Sequence, residues 1–320
     1  MRALMKCKSC WSREKAFDGE ESNNNWVYVR RPHLKTNCRS NIEQVSQFFG
    51  NMQPMRSPGT YGTTFVAALL LVSLEACVTT PRTAFSVGSS SEECVVLIHG
   101  LNRSWKAMEP MAEALRSAGF STANVDYPSQ AGPVETLAPL AIDTGLNECR
   151  HSGATTIHFV THSIGGILLR YSHAASPIPD LGRVVMLGPP NKGSEVIDIA
   201  RDWPATEIFA GEAGMQMGTG PESVPQQLGP VDFELGIIAG TGSINFIMSA
   251  MLPEPNDGKV SVESTRITGM DDFLIVTDDH HYITESEVVI RNTEAFLRTG
   301  AFEDSSMDAD LLSSFGIAED

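Results

Sequence analysis

One serine lies where an apolar stretch of the chain changes character. The segment TIHFVTHSIGGILLR (156–170) runs from apolar residues to Ser163, then through two glycines into a second apolar run. This pattern predicts a buried strand, a sharp turn and a helix, with the hydroxyl of Ser163 projecting from the turn as a nucleophile. Thr161 occupies the position where such turns usually carry glycine, and a serine after a strand can also be a helix cap. The motif alone therefore leaves both interpretations open.

A nucleophilic serine needs a base, and three histidines follow Ser163 in the chain: His173, His280 and His281. His173 belongs to the helix that begins after the serine, so it should point away. His280 and His281 follow the last apolar strand segment, at the position expected for the base of a serine–acid–histidine set. Both histidines remain candidates at this point.

The acid should lie between the serine and the base. Asp257, in NDGKVSV (256–262), follows the apolar segment ELGIIAGTG and is the first candidate. The alternative interpretation is a simple turn, because Asp-Gly is a favoured turn pair. Asp126, which follows an earlier strand segment, is the weaker rival.

Acyl transfer also requires two main-chain N–H groups that stabilise an oxyanion. We expect one from Ile164, the residue after the serine, and the other from Leu101 in LIHGLN (97–102). His99 is interpreted as a brace for the loop that carries Leu101. His162 is interpreted as a packing residue, because the turn should direct it away from the site.

Apolar strand segments alternate with helical segments from residue 93 onward. This alternation predicts one mostly parallel sheet of about six strands with helices on both faces. The stretch 204–233 has weak patterning and is predicted to be a loop or a small mobile cover. The predicted strands are 93–100, 121–128, 154–163, 182–190, 234–242 and 271–277; the predicted helices are 105–120, 134–153 with a kink or early break at Pro139, 164–175, 194–203 and 285–302.

The composition narrows the class of partner. The chain has 320 residues and a formal net charge of −16, and this acidic balance argues against nucleic-acid binding.

Six cysteines are present, and a disulfide between Cys94 and Cys149 is possible. The alternative interpretation of Cys94 is a small core residue. We expect no metal and no organic cofactor.

The first part of the chain differs from the rest. Residues 1–77 carry ten Lys/Arg and six Asp/Glu, so the remainder carries a net charge of −20. The apolar run 65–74 has the length of a signal-peptide core and is too short to span a bilayer. The following LEAC is similar to a bacterial lipoprotein box, with Cys77 as the residue that would be lipidated.

These observations predict four segments. They are an extension or mis-assigned start at 1–54, a signal-peptide-like segment at 55–77, the main domain at 78–302 and an acidic tail at 303–320. The expected location is the bacterial cell envelope, as a lipoprotein or a periplasmic protein with possible membrane anchoring through a lipidated N-terminus. The alternative is a cytoplasmic protein in which 65–74 is a short buried helix.

Five segments taken in order resemble the α/β-hydrolase superfamily. They most resemble bacterial lipase-like and esterase-like serine hydrolases, a group that includes triacylglycerol lipases and proteins similar to GPI-inositol deacylases. The resemblance covers about 93–302 and implies the α/β-hydrolase fold. The segments are VVLIHGLN, FVTHSIGGILLR, MLGPPNKGSEV, LPEPNDGKVSVESTRITGM and HHYITESEVVIRNTEAFLRTGAF.

The resemblance carries roles onto particular positions. Ser163 matches the nucleophile of the group and Asp257 its acid. Counting from the GM pair at 269–270 aligns the base of the group with His280, so His281 becomes the alternative base. Leu101 and Ile164 match the oxyanion donors, and Thr-His-Ser-x-Gly-Gly is a familiar form of the turn in this group.

The implied activity is hydrolysis of carboxylic esters through an acyl-enzyme on Ser163. The implied substrate is a small-molecule or lipid ester, and no nucleic acid is expected as a partner. An acyltransferase or thioesterase using the same residues, or a non-catalytic binding protein that retains the fold, are the alternatives.

Overall fold

The computed structural model of the chain describes residues 12–15, 26–29, 81–88, 90–203, 205–243 and 249–304. The chain divides into two units, 1–76 and 77–320. In the first unit, β1 (Ser12–Lys15) and β2 (Trp26–Val29) pair antiparallel. The signal-peptide-like segment with Cys77, and residues 305–320 of the acidic tail, lie outside the described residues.

The second unit is built on a seven-stranded sheet of order β3-β5-β4-β6-β7-β8-β9. All pairs are parallel except β3 with β5, which is antiparallel. The sheet confirms the predicted α/β-hydrolase fold and its six parallel strands. The strands are β3 (Arg82–Ser86), β4 (Ser90–Ile98), β5 (Phe120–Asp126), β6 (Thr156–His162), β7 (Leu181–Leu187), β8 (Leu235–Gly242) and β9 (Asp272–Asp279).

The seventh strand, β3, was not predicted from the sequence. It lies at the edge of the sheet, pairs on one side only, and contains no fully buried residue. A short edge strand lacks the continuous apolar run that identifies a buried parallel strand. Its pairing with β5 therefore depends on tertiary contact.

Helices cover both faces of the sheet, as predicted. In β4, Val96 and Ile98 face a core shared with α2 and α3, whereas Val95 and Leu97 face a core shared with α1 and α8. In the part of the chain that the structure describes, no helix is both long and apolar enough to cross a membrane. After a short 3₁₀ turn at Trp105–Met108, the helices are α1 (Glu109–Ser117), α2 (Val134–His151), α3 (Ile164–Ala175), α4 (Glu195–Ala200), α5 (Thr206–Met215), α6 (Val224–Gln227), α7 (Val262–Thr265) and α8 (Glu287–Thr299).

Three helices differ from the sequence-based expectation. The stretch 204–233, predicted to be a loop or cover, contains α5 and α6. α5 bends at Gly211, which has φ 62°. Because of this bend, the apolar residues of its two halves do not follow one helical period, and the sequence pattern does not identify the helix. The helix α2 continues through Pro139, because a largely apolar face of this helix is buried on both sides of the proline.

The structure joins Cys94 and Cys149 in a disulfide. The bond links β4 to the last turn of α2, and both residues are fully buried. Cys94 is therefore a cross-link and not only a small core residue. In the acidic tail, Asp304 is bound by Arg291 and accepts a hydrogen bond from Asn292 at 2.8 Å.

Candidate active site

Ser163 occupies a sharp turn between β6 and α3. Its backbone has φ 54° and ψ −126°, an uncommon conformation for a residue with a side chain. Such a conformation costs about 1–3 kcal/mol, and the surrounding structure must hold it. Here the Ser163 N–H donates to the carbonyl oxygen of Leu187 at 2.9 Å. The turn places the serine at the carboxyl edge of the sheet, where active sites of open α/β sheets form.

The glycines after Ser163 permit close packing of α3 on the neighbouring strand. A Cβ atom at Gly165 would lie 2.8 Å from the main-chain oxygen of Ile98, a contact too short for any side chain. The missing side chain at Gly165 therefore allows α3 to lie close to β4. The turn also forms with Thr161 at its first position.

Three side chains that are distant in sequence meet at this edge. His280 Nε2 lies 3.1 Å from the Ser163 Oγ, and His280 Nδ1 lies 2.6 Å from Asp257 Oδ2. This geometry fits an imidazole whose Nδ1–H donates to Asp257 and whose Nε2 accepts from the serine hydroxyl. The structure thus brings Ser163, Asp257 and His280 into one hydrogen-bonded chain.

Asp257 is held from both sides. Its Oδ1 accepts hydrogen bonds from the main-chain N–H groups of Lys259 and Val260, at 3.0 and 2.8 Å. Its carbonyl oxygen accepts the N–H of His280 at 3.2 Å. The carboxylate is almost fully buried, so these bonds provide its solvation and fix Oδ2 toward the histidine.

The rival residues lie elsewhere. His281 is exposed, and its main-chain N–H donates to Asp279 Oδ1 at 2.7 Å. Asp126 accepts the N–H of Trp105 and lies 3.7 Å from the Nε2 atom of His99. Neither rival takes part in the hydrogen-bonded chain that contains Ser163.

Hydrogen bonds and ring stacking by His99 and Tyr127 support the loop that carries Leu101. His99 Nδ1–H donates to the carbonyl oxygen of Gly100 at 2.9 Å, and the Tyr127 hydroxyl donates to the carbonyl oxygen of His99 at 2.9 Å. The rings of His99 and Tyr127 stack with centroids 4.4 Å apart. Burial lowers the pKa of His99, which favours a neutral imidazole whose Nε2 accepts the main-chain N–H of Tyr127 at 3.4 Å.

A cavity of about 120 Å³ opens beside Ser163, and Leu101 and Ile164 both line it. Ile164 is the first residue of α3, so its N–H has no partner within the helix. An oxygen atom in the cavity could therefore receive main-chain hydrogen bonds. The lining residues are Leu101, Asn102, Arg103, His162, Ser163, Ile164, Pro190, Ser194, Val196, Ile197, Gly214, Met217, Lys259, Val260, His280 and His281.

His162 forms a hydrogen bond to the loop that contains His280, in addition to its packing contacts. Its Nε2–H donates to the carbonyl oxygen of His280 at 2.9 Å, and the two rings lie 4.9 Å apart. Burial, followed by the neighbouring His280, holds the pKa of His162 well below its ordinary value. A neutral His162 therefore links the serine turn to the histidine loop, a contact that the sequence interpretation missed.

Gly188 is a second position that the sequence interpretation missed. It directly follows β7 with φ 53°, and a Cβ atom there would lie 3.0 Å from Asp257 Oδ2 and 3.2 Å from His280 Nδ1. The absence of a side chain leaves room for the hydrogen bond between those two atoms. The only indication of this role in the sequence was a glycine at the carboxyl end of a central strand.

Comparison with known proteins identifies the fold. A family model described as the alpha/beta hydrolase family matches residues 95–250. No curated protein matches the chain by sequence. Among solved structures, the mature form of the Bacillus licheniformis lipase BlEst2 is 20% identical with a TM-score of 0.54, and the match covers 69% of this chain and 98% of that one. The propeptide form of the same lipase is also 20% identical with a TM-score of 0.56, covering 70% of this chain and 54% of that one.

Proposed function

This chain has the α/β-hydrolase fold, and from that premise we propose that it is a serine hydrolase that cleaves carboxylic esters. The observation that carries the proposal is the hydrogen-bonded chain from Ser163 through His280 to Asp257 at the wall of the cavity. The serine is the proposed nucleophile, the histidine the base and the aspartate the residue that orients the base.

In the proposed reaction, the Ser163 Oγ attacks the ester carbonyl carbon while His280 Nε2 takes the hydroxyl proton. The N–H groups of Leu101 and Ile164 stabilise the negative charge on the carbonyl oxygen, and each such donor typically contributes about 3 kcal/mol. His280 then gives the proton to the leaving alcohol as the ester C–O bond breaks. Water repeats the cycle on the acyl-enzyme and releases the acid.

Asp257 supports both halves of this cycle. Its bond to Nδ1 selects the tautomer in which Nε2 can accept a proton, and its charge stabilises the imidazolium that forms. Because two main-chain N–H groups hold its other oxygen, the carboxylate stays in place without a cationic side chain.

The cavity favours an acyl group of apolar character. Val196, Ile197 and Met217 are among the apolar residues that line it. The similar Bacillus protein is named a lipase, which supports lipid esters as one substrate class alongside small esters. A complete serine–histidine–aspartate set favours an enzyme over a non-catalytic protein that only retains the fold.

Nitrophenyl esters of increasing acyl length test the proposal. We expect turnover in the wild type and a loss of at least about 1,000-fold in kcat for Ser163→Ala, because the acyl-enzyme can no longer form. Ser117→Ala removes an exposed hydroxyl that bonds only Glu113 within its own helix and should retain activity. Turnover that survives in Ser163→Ala would reject this nucleophile.

We further propose that the chain is exported and lipidated at Cys77. The signal-like run 65–74 and the following LEAC support this proposal, as does the Cys94–Cys149 disulfide, since such bonds persist in oxidising compartments. Radiolabelled palmitate should be incorporated by the wild type and by Cys38→Ser, but not by Cys77→Ser. Absence of label in the wild type contradicts lipidation.

A further inference from the structure

The cavity beside Ser163 is lined by two chemically different sets of side chains. One set is apolar and includes Val196, Ile197 and Met217. The other is the cationic pair, defined here as Arg103 and Lys259. No aspartate or glutamate is among the residues that line the cavity. The cationic pair therefore contrasts with a chain whose net charge is −16.

Internal carboxylates do not neutralise the cationic pair. Neither Arg103 nor Lys259 forms an ion pair with a described residue, and the contact of the Arg103 guanidinium is a hydrogen bond to the carbonyl oxygen of His281 at 3.4 Å. Asp257 is bound to His280, and Asp279 Oδ1 accepts the N–H groups of His281 and Tyr282. Both positive charges thus remain available to a ligand.

Glu195 also lies on a segment beside the cavity. Its Oε1 accepts the hydroxyl of Ser261 at 2.9 Å, and it is not among the lining residues. Lys259 is exposed and Arg103 is half-buried, so each side chain can reach a bound molecule at the mouth of the cavity.

The cationic pair lies on the side of the base. The guanidinium of Arg103 donates to the carbonyl oxygen of His281. Partial desolvation of the His281 ring, followed by the charges of Arg103 and Lys259, lowers the pKa of this imidazole. His281 directly follows His280, whose Nε2 delivers the proton to the leaving oxygen in the proposed reaction. The alcohol portion of an ester receives its proton from His280, so it should lie within reach of the cationic pair.

We propose that Arg103 and Lys259 bind an anionic group, a phosphate or a carboxylate, carried by the alcohol portion of the substrate. The inference rests on the proposed ester hydrolysis and makes it more specific. A guanidinium presents a planar fork that suits either anion, and an ammonium adds a compact second charge. The preferred substrates are then esters of anionic alcohols with an apolar acyl chain.

A matched pair of esters tests this preference. The compounds 1-butyrylglycerol and 1-butyrylglycerol 3-phosphate share the acyl group and the scissile bond and differ only in the phosphate. We expect kcat/KM for butyrate release to favour the phosphate by about tenfold or more, the size typical of one charge-assisted hydrogen bond. A second pair, 4-nitrophenyl valerate and the 4-nitrophenyl monoester of glutarate, places the anion on the acyl side and should show no such preference.

Variants connect the preference to the two side chains. Lys259→Gln and Arg103→Gln should each lower the phosphate-to-neutral ratio of kcat/KM by at least about threefold, and Lys259→Arg should restore most of it, since charge is what binds the anion. Lys106→Gln removes an exposed lysine outside the cavity and should keep the wild-type ratio. Raising ionic strength should also lower the ratio in the wild type, because exposed charges are screened.

The outcomes separate this inference from the proposed function. Loss of all ester cleavage, or cleavage independent of Ser163, contradicts the proposed function. Cleavage that depends on Ser163 but favours neutral alcohols, or that shows the same ratio in Lys259→Gln and the wild type, overturns only the anion site. A preference confined to the glutarate monoester assigns the anion to the acyl side and also overturns the proposal.

Discussion

His280 and His281 are neighbours in sequence, but their side chains have different surroundings. The imidazole of His280 contacts both Ser163 and Asp257, whereas His281 is exposed beside the mouth of the cavity. The difference arises because the chain leaves β9 at this point, so consecutive residues face different directions. At the scale of the residue, one imidazole lies within hydrogen-bond distance of Ser163 and Asp257, and the other is exposed.

Replacing each histidine separately should reveal this difference. We expect His280→Ala to lower kcat for nitrophenyl esters by at least about 1,000-fold, because the proton of Ser163 loses its acceptor. His281→Ala should cost less than about tenfold, since its ring bonds neither Ser163 nor Asp257. Steady-state kinetics measure both, and equal losses in the two variants would contradict the assignment of the base.

Gly188 provides a second test at the residue scale. An alanine here adds a Cβ atom within 3.2 Å of both partners of the Asp257–His280 bond, at a position with φ 53°. We expect Gly188→Ala to lower kcat about tenfold or more, because displacing the imidazole by a fraction of an ångström disturbs proton transfer.

The control for this test is Gly153→Ala. Gly153 also has positive φ, at 93°, but a Cβ atom there meets nothing within 4 Å. Both variants should lose about 1 kcal/mol of stability or more from the backbone conformation. Only Gly188→Ala should lose kcat, and an equal kcat for the two variants would show that the Asp257–His280 bond tolerates the extra atom.

At the scale of the element, the site residues follow the carboxyl ends of the strands, and the helices pack against the two faces of the sheet. β4 and β6 end at the Leu101 loop and at the Ser163 turn, and the loops after β8 and β9 supply Asp257 and His280. The disulfide fastens α2 to β4, which is a central strand of the sheet. The bond thus connects a helix of one face to the strand that leads into the Leu101 loop.

Removing this disulfide should destabilise the fold. The two cysteines are 55 residues apart, so the loop-entropy relation gives about 4 kcal/mol of stabilisation. We expect the Cys94→Ala/Cys149→Ala variant to unfold at correspondingly lower denaturant concentration. Dithiothreitol should lower the unfolding midpoint of the wild type and leave that of the double variant unchanged; a wild-type midpoint insensitive to the reductant would contradict the bond.

At the scale of the whole molecule, burial controls the charge of several histidines. Burial is the largest cause of the lowered pKa values of His99, His158 and His162. Inside the fold, each imidazole forms its hydrogen bonds in the neutral form. After unfolding, the ring is exposed to water and can bind a proton. The folded chain consequently binds fewer protons than the unfolded chain at mildly acidic pH.

The stability of the molecule should therefore fall as the pH decreases. Above the ordinary histidine pKa, near 6.5, both states are neutral and no penalty applies. Below it the unfolded state gains protons first, so each such histidine removes up to about 1.4 kcal/mol per pH unit until its folded pKa is reached. Denaturant midpoints at pH 7.5, 6.5 and 5.5 measure this loss.

His162→Gln provides the matched variant for the pH experiment. A glutamine keeps a hydrogen-bond donor near the carbonyl oxygen of His280 but cannot be protonated in this range. Its midpoint should change less between pH 7.5 and 5.5 than that of the wild type. A wild-type midpoint that stays constant or rises on acidification would show that the buried histidines do not govern acid stability.

Much of this architecture could be predicted from local patterns. Buried parallel strands are continuous apolar runs, so all six of them, and the turn at Ser163, are visible in the sequence. The edge strand β3 and the bent helix α5 were not predicted, because a strand with no fully buried residue and a helix interrupted at Gly211 lack the periodicity that identifies an element. The pairing of Cys94 with Cys149 was one possibility among six cysteines until the fold placed them together.

The sequence by itself determined the order of the strands along the chain, the position of Ser163 on a turn and a short set of candidate partners, since these depend on residue type and local spacing. Only the tertiary structure decided which partners meet. The resemblance already favoured His280 over His281. The contact of His280 with Ser163, the bonds that hold Asp257, the link from His162 and the room left by Gly188 all depend on ångström-scale distances between residues far apart in the chain. Such distances are set by how the sheet and helices pack, and no local pattern of residues encodes them directly.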